Sequence, residues 1–488
     1  MRVVVVGAGL GGLAAACHLA GRGYDVTVLE RAPTPGGCAA QLVGDGFRID
    51  TGPIVLTMPG ILAATFAAAG TSMDDHVVVR PVDPMYRATF ADGSELNVRR
   101  GVGAMTEEIR AFSGPQDAAA FERFAAWLTS LTEVELPHFI DRSWNSVLDL
   151  AREVPSLVRL VRLGALRRMS RQVGRFFTDE RLQQTFSFQA LYAGLSPFEA
   201  LAVFCVITYM DSVEGVFAAE GGMHAIAAGL AAAAVRAGAD VRCNEPVERI
   251  ERGAHGGVNG VRLESGESIA ADAVVVNADV AATYRTLLGV GTPRVVRRGA
   301  YSPSCAVWVA GVRGEPPTSA AHHNIHFGAT WRESFDALLR AGSRMPDPSI
   351  LVSLPTVSEA ALAPPASSIV YGLEPVPNLD ATIAWDVEGP RLRDDLVARI
   401  GALGYPVDDV VLEQFTDPAD WAARGLERGT PFSLAHRFFQ SGPFRPRNVD
   451  PRIPGLVLVG MGTVPGVGIP MVLLSGRLAA ARVDEVAA

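Results

Sequence analysis

Short, unbroken apolar runs stand near both ends of the chain, and between them the apolar positions take a helical spacing. Residues 2–6, RVVVV, are rich in β-branched side chains and predict a buried strand. The Ala-rich residues 13–19 predict a helix, and residues 25–29, DVTVL, a second buried strand. Residues 77–96 alternate in strand fashion with Asp92-Gly93 as a hairpin turn. From Met105 to about Asp211 the period is helical. Gly221-Gly222-Met223 opens a further helix through Val235. Strands at 239–241 and 246–250 follow, then turns at Gly256-Gly257 and Ser265-Gly266, then a buried strand at 273–279. A mixed region, about 300–430, contains strands at 304–310, 350–354 and 369–373. The chain closes with a strand at 456–460, a glycine-rich loop, and a helix over 471–483.

The first of these patterns carries chemistry. The strand 2–6 runs directly into Gly7-Ala8-Gly9-Leu10-Gly11-Gly12, then a helix, then a strand that ends on Glu30. Strand, glycine turn, helix, strand and acid, in that order, form a dinucleotide-binding unit. Gly7 permits the tight turn, Gly9 lets a pyrophosphate approach the backbone, and Gly12 lets helix and strand pack closely. The helix start offers free N–H groups and a positive dipole end to phosphates, and Glu30 stands where an acid binds ribose hydroxyls. A tight turn without a ligand would explain the glycines but not the acid. The first twenty residues also have the look of a signal peptide. The glycines interrupt its apolar core, and cleavage would destroy the unit, so the stretch is read as part of the fold.

Two later loops extend the unit. Arg31, then Gly36-Gly37-Cys38, and then Asp50-Thr51-Gly52-Pro53 suit a loop passing close to a flat cofactor. The loop Gly460-Met461-Gly462 through Gly468-Ile469-Pro470 is a second strand–glycine–helix passage, and its helix start could face an anion such as the edge of a reduced flavin. A second complete glycine–acid unit is lacking, so FAD rather than NAD is expected.

Composition narrows the class. Of 488 residues, 49% are hydrophobic and 19% charged, which describes a globular chain large enough for two or three domains. No run of about 18 apolar residues occurs, so no spanning helix is expected. The net charge of −9 argues against a general nucleic-acid binder. Cys17, Cys38, Cys205, Cys243 and Cys305 are scattered without a CxxC, which suggests neither a disulfide framework nor a metal site. The sequence holds no lysine, and all 43 basic residues are arginine. That excludes a Schiff-base lysine and a Walker lysine.

One stretch of arginines has a direction. Over residues 165–177, Leu166, Met169, Val173, Phe176 and Phe177 share one helical face, and Arg167, Arg168, Arg171 and Arg175 share the other. A basic amphipathic helix of this kind can lie on an anionic membrane, or it can be an ordinary surface helix with solvated arginines.

Taken in order, these motifs resemble the bacterial phytoene desaturase family of FAD-dependent carotenoid dehydrogenases. The likeness spans nearly the whole chain. It rests on Asp50-Thr51-Gly52-Pro53 with Leu56-Thr57-Met58-Pro59, Asp83-Pro84-Met85-Tyr86-Arg87, Phe186-Ser187-Phe188-Gln189 with Gly194-Leu195-Ser196-Pro197, and Gly221-Gly222-Met223. It continues through Asn277-Ala278-Asp279-Val280, His322-His323 with Phe327-Gly328, Phe444-Arg445-Pro446, and Gly460 through Gly476.

The resemblance implies an α/β fold of the flavin amine oxidase-like superfamily, a Rossmann-like FAD-binding domain with an inserted substrate and membrane domain made of a helical segment plus a mixed sheet. Residues 1–75, 216–290 and 431–488 would form the FAD-binding domain, 76–215 the helical part of the substrate domain, and 291–430 its sheet. FAD would contact Gly7, Gly9, Gly11, Gly12, Glu30, Arg31, Gly36, Gly37, Cys38, Gly52, Pro53, Val247, Gly460, Gly462, Gly468, Ile469 and Pro470. The family usually carries an arginine after the paired glycines, where it helps to hold the FAD phosphates; this chain has Cys38. It also has Val464 where many relatives have histidine, which makes an acid–base role there unexpected.

The implied activity is dehydrogenation of a long C40-type polyene such as phytoene towards lycopene, with oxygen or a quinone as electron acceptor. A carotenoid isomerase of the same superfamily, a desaturase of another polyene, and a non-redox prenyl-binding protein are the alternatives. A flavin amine oxidase of the usual kind would need a lysine near the flavin. The implied location is cytoplasmic, at the membrane surface. Desaturation removes a hydride and a proton from adjacent carbons, and the flavin takes the hydride. No base beside the flavin is evident in the sequence; His322 and His323 are candidates only, and paired histidines in a strand are commonly structural.

Overall fold

The computed structural model describes residues 1–487. A five-stranded parallel sheet organises the molecule. Across the sheet the strands run Leu456–Leu458, Ala273–Val276, Arg2–Val6, Asp25–Leu29 and Asp240–Arg242. The register Val3↔Val26 and Val3↔Ala273 places the first strand at the centre. Its side chains alternate between two faces, as the pleat requires. Val3 and Val5 pack against the helices Leu10–Ala20, His224–Arg236 and Ile469–Ala487. Val4 and Val6 pack against a three-stranded antiparallel sheet, Val247–Arg252, Val258–Leu263 and Ser268–Ala270. Both faces are covered, which is why the strand reads as a continuous apolar run rather than an alternating one.

A second sheet has seven strands in the order Val410–Thr416, Ser304–Arg313, Ser367–Val376, Ile350–Ser353, His323–His326, Tyr86–Thr89 and Glu95–Val98. The two long strands pair over ten residues, from Ser304↔Val376 to Arg313↔Ser367. The pairing of His323–His326 with Tyr86–Thr89 is parallel and the others are antiparallel. The expected hairpin forms as Tyr86–Thr89 and Glu95–Val98, closed by Phe90 N–H donating to the Ser94 carbonyl at 2.9 Å.

Between residues 102 and 214 the chain is helical and lies over one end of this sheet. Its long helix, Pro115–Glu135, passes into a π turn at Leu136–Ile140, and the segment ends in another at Met210–Glu214. Phe121, Phe124, Phe177 and Phe186 form its centre, with ring centroids 5.1–5.5 Å apart, a spacing that favours tilted and edge-to-face contacts.

The single amphipathic helix expected over residues 165–177 does not form. The helix Val154–Leu163 stops at Gly164, whose φ of +79° is the left-handed cap conformation. Residues 164–166 form a turn, with Arg167 N–H donating to the Gly164 carbonyl at 3.0 Å, and this turn is tied to residues 200–203: Val203 N–H donates to the Ala165 carbonyl at 2.8 Å and Met169 N–H to the Ala200 carbonyl at 2.8 Å. Only Met169–Val173 is helical. Met169, Val173 and Phe177 turn into the core, whereas Leu166 faces solvent, so the apolar face is divided between inside and outside.

Candidate functional site

The glycine turn sits where the chain leaves the central strand and its two neighbours depart to opposite sides, the place where open α/β sheets bind ligands. Gly12 is fixed by packing: a Cβ there would lie 2.1 Å from the Gly7 carbonyl oxygen. At Gly9 and Gly11 an added Cβ would meet the Asn277 side-chain amide, at 2.7 and 2.8 Å. Asn277 follows the strand Ala273–Val276, and its N–H donates to the Val6 carbonyl at 2.8 Å. It is a site residue that the sequence shows only as part of a motif; no rule of spacing singles it out. No side chain caps the helix Leu10–Ala20, so its first N–H groups stay open to an anionic group.

Glu30 is buried at the end of the second strand. Its Oε2 accepts from Ala8 N–H at 2.7 Å and its Oε1 from Ala32 N–H at 2.9 Å. The carboxylate therefore ties the glycine turn to the loop after it, with lone pairs left over for ribose hydroxyls. Val247 lines the same end with Glu245 and Pro246, and Glu245 N–H donates to the Glu30 carbonyl at 2.8 Å.

Gly36 and Gly37 cross directly over the turn. Gly36 N–H donates to the Ala8 carbonyl at 2.8 Å, and a Cβ at Gly37 would stand 3.1 Å from the Gly9 Cα. Cys38, Gly52 and Pro53 line the cavity beside them. A Cβ at Gly52 would lie 1.8 Å from the Cys38 carbonyl oxygen, and the Tyr371 hydroxyl holds the Gly52 carbonyl at 2.9 Å. Asp50 spends its carboxylate on Met223 N–H at 2.6 Å and His224 N–H at 3.0 Å, which explains Gly221-Gly222-Met223 as a docking turn for the next helix. Burial pushes the Asp50 carboxyl up to about 6 despite those two donors. Arg31 and Arg424 are the guanidinium groups among the cavity-lining residues. Arg424 is near enough to Cys38 to oppose the effect of burial on its thiol, and it lies over the Trp421 ring at 4.8 Å. Sequence reasoning missed Arg424, which is remote in the chain and belongs to no motif.

The third glycine loop closes the cradle. Gly460 N–H donates to Ser475 Oγ at 3.1 Å, and Gly460, Gly462, Gly468, Ile469 and Pro470 all line the cavity. Arg445, 2% exposed, holds this loop from behind: it donates to the carbonyls of Thr463 at 3.0 Å, Met461 at 2.6 Å and Leu434 at 3.1 Å. The buried cation has carbonyl dipoles rather than a carboxylate around it, and burial lowers its pKa to about 9.

From this cradle one cavity of about 1370 Å³ continues into the helical segment. Its second arm is apolar, lined by Phe188, Phe204, Val206, Ile207, Met210, Ile325, Phe327, Trp331 and Leu351. Leu150, Leu157, Leu166, Phe438 and Phe444 line it too, and Leu166 and Phe438 are at the same time exposed to solvent. Two carboxyl side chains, Glu135 and Asp211, line the apolar arm, together with the His436 imidazole. His322 and His323 do not line it. Their Nδ1 atoms pair with Ser358 Oγ at 2.8 Å and Ser353 Oγ at 2.9 Å, and burial lowers the His322 pKa to about 4 and that of His323 well below the usual range. They are neutral structural groups of the second sheet, and the structure removes them as catalytic candidates.

This lining suits a dinucleotide in one arm: open N–H groups at a helix start, an acid at a strand end, two guanidinium groups, and backbone glycines where any side chain would intrude. The other arm suits a long hydrocarbon, which needs shape rather than polar partners.

Comparison with known proteins shows the family of the chain. Residues 10–361 match the model of the family described as flavin containing amine oxidoreductase. The chain is 46% identical to a phytoene dehydrogenase of Streptomyces griseus over 99% of this chain and 94% of that protein. It is 38% identical to a zeta-carotene-forming phytoene desaturase of Myxococcus xanthus, over 99% and 93%. Among solved structures, an oxidoreductase from Methanosarcina mazei superposes with a TM-score of 0.64 at 18% identity, covering 99% of this chain and all of that one, which shows the shared fold.

Proposed function

Since this chain belongs to the phytoene desaturases among the flavin-containing amine oxidoreductases, we propose a division of labour for its FAD-dependent dehydrogenation of a phytoene-like polyene in carotenoid biosynthesis. The observation that carries the reading is the continuity of the cavity, which joins a dinucleotide cradle to a hydrocarbon arm without a break. FAD, when bound, supplies the two-electron acceptor for the hydride. Gly7 to Gly12, Gly36, Gly37 and Gly52 let it approach the backbone. Glu30 receives the ribose hydroxyls. Arg31 and Arg424 balance phosphate charge, Arg424 taking the part that Cys38 cannot. The loop from Gly460 to Pro470, braced by Arg445, would hold the isoalloxazine. The apolar arm holds the polyene straight and excludes water. Oxygen or a quinone receives the electrons at the end of the cycle.

The outer end of that arm is the proposed contact with the bilayer. Leu148 is 81% exposed and Phe439 73%, and Val154, Val158, Val161, Leu166 and Phe438 are also open to solvent. They sit on the segments whose other residues line the mouth, and Gly442–Phe444 packs on Val147–Glu153. Arg152, Arg159, Arg162 and Arg167 are exposed beside them. An apolar rim ringed by arginines fits an anionic membrane surface, and no helix of the described residues is long and apolar enough to cross one. The substrate is almost insoluble in water, so a mouth opened against lipid gives it a dry route.

The test is incubation of the protein with FAD and phytoene-loaded liposomes, with and without a quinone, under argon and in air. A longer-wavelength polyene spectrum is expected. Bound FAD with unaltered phytoene in every condition would count against desaturation.

A further inference from the structure

Desaturation must place a proton somewhere, and the structure offers a place for it. We infer that Asp211 is the catalytic proton acceptor, its Oδ2 taking the proton from the carbon next to the one that loses hydride. The inference rests on the desaturase reading above.

Asp211 lies in the π turn Met210–Glu214. Such turns shift the register of a helix locally and recur at functional sites. Here the preceding residue, Met210, packs with Met58 and Val206 against Met471 in the first turn of the closing helix, which ties this turn to the end of the third glycine loop, and Asp211 lines the same cavity. Only one of its oxygens is engaged: Oδ1 accepts from Ser212 Oγ at 2.5 Å and from Gln189 Nε2 at 3.3 Å. Gln189 is itself fixed, accepting from Thr208 Oγ1 at 3.3 Å and donating to the Thr185 carbonyl at 3.1 Å. Oδ2 has no hydrogen-bond partner among the described residues, and the side chain lines the cavity. One oxygen anchored and the other open is the arrangement a general base needs.

The neighbouring groups are poorer acceptors. Glu135 lines the same arm, but its Oε1 has no donor at all, and burial drives its carboxyl far above the usual range, so it remains a neutral acid. His436 also lines the cavity, beside Gly466 and the Phe204 ring. Burial and the nearby Arg445 hold its pKa well below 6.5, so its ring resists taking a proton. For Asp211, burial raises the carboxyl to about 7 while Ser212 and Gln189 hold it down. The titratable groups that face it are the phenols of Tyr86 and Tyr192, both neutral at such pH. It is thus ionised above neutral pH and able to take a proton there.

The step balances. One C–H bond breaks and its electron pair leaves as hydride to the oxidised isoalloxazine. The adjacent C–H bond gives its proton to Asp211 Oδ2, and its electron pair becomes the second bond of the new C=C. The carboxyl then returns the proton to solvent.

The experiment uses the FAD-loaded protein and phytoene in phosphatidylcholine–phosphatidylglycerol vesicles, with anaerobic bleaching of the flavin followed in a stopped flow. Wild-type bleaching should accelerate as pH rises through about 7. Asp211→Asn should bleach about 10²–10⁴-fold more slowly, with a flat profile, while FAD content and phytoene binding stay at wild-type levels. Asp211→Glu should recover part of the rate. Infrared titration of the resting protein should show a carboxyl titrating near pH 7 that is missing from Asp211→Asn. A wild-type rate and profile in Asp211→Asn would overturn the assignment, as would a loss fully explained by lower FAD content, or a flat profile in His436→Gln with the slope kept in Asp211→Asn. If the wild type itself does not bleach with phytoene, the desaturase reading fails, and the infrared titration still reports on the carboxyl.

Discussion

Glu30→Gln separates two roles that one carboxylate plays. The change keeps size and shape and removes the charge. In the native chain both oxygens accept from backbone N–H groups, Ala8 at 2.7 Å and Ala32 at 2.9 Å. A glutamine amide has one oxygen, so either Ala8 or Ala32 then faces an NH₂ and is left without an acceptor. Leaving a buried donor unpaired costs about 1–3 kcal/mol, and the surviving bond gives up charge assistance worth about 1 kcal/mol. The FAD-free protein should therefore be destabilised by about 2–4 kcal/mol before any ligand is considered. FAD binding should weaken as well, about tenfold for every 1.4 kcal/mol of ribose hydrogen bonding that the amide fails to replace. Urea unfolding of the apoprotein and FAD titration of both proteins measure the two effects separately. If apoprotein stability stays within about 0.5 kcal/mol of wild type while FAD affinity falls, Glu30 binds ribose but does not tether the turn.

Gly12→Ala should prevent assembly of the nucleotide-binding sheet, at a cost above about 4 kcal/mol, because its Cβ would sit 2.1 Å from a backbone oxygen; soluble protein with normal FAD content would contradict this. Cys38→Arg should not tighten FAD, since a further guanidinium would crowd and repel the half-buried Arg424 beside it; slower FAD loss on dialysis would show that the site has room for both. Asp450, held at about 2 by Arg452 and the Tyr284 hydroxyl, adds stability above the unfolded value near 4, and this is lost as pH falls from about 4 to 2. Asp450→Asn should cost about 1 kcal/mol at pH 7, less than the full shift because Arg452 stands largely in solvent, and nearly nothing at pH 2; an equal loss at both would refute the linkage. Leu148→Ser with Phe439→Ser should reduce flotation with anionic liposomes, whereas changing Arg171 and Arg175 to Gln should alter it little; the reverse ranking would move the contact surface back to residues 165–177.

What the sequence reveals is what local geometry dictates. The turn from Gly7 to Gly12 and the acid at Glu30 are close in the chain, and their spacing states their purpose. The strands 2–6, 25–29 and 273–276 are legible because burial on both faces leaves only apolar residues at most positions. Asn277, Arg424 and Asp211 are different. Each meets neighbours assembled from remote segments, and an isolated Asn, Arg or Asp carries no pattern. The paired histidines point in the opposite direction: His322 and His323 each pair through Nδ1 with a serine, Ser358 and Ser353, and neither lines the cavity. Residues 165–177 show the limit of periodicity. A 3.6-residue repeat is compatible with a helix, but Gly164 ends one helix, and the hydrogen bonds from Val203 and to Ala200 tie the turn that follows to another segment. Tertiary pairing outweighed a helical preference worth about a few tenths of a kcal/mol per residue.

The same break in the helix decides how the mouth can work. Had residues 165–177 been one amphipathic helix, its apolar face would have been available to lipid. Instead Met169, Val173 and Phe177 are spent on the core, and the exposed apolar chains lie on 147–166 and 438–439, around the opening. Fully burying one large apolar side chain contributes about 1.5–3 kcal/mol, and chains already half-covered contribute less. The exposed chains of the rim together give a gross gain on the order of 6 kcal/mol, with roughly 1 kcal/mol more for each arginine near anionic lipid. Association costs of several kcal/mol oppose this. The proposed contact would then have a modest net affinity, enough to hold the mouth at the lipid and small enough to let go. A spanning helix would anchor the protein permanently. On the proposed reading, a rim of this size would let the protein load polyene from one patch of membrane and return product to another, and binding would depend on anionic lipid and on salt, since only the arginine share is screened.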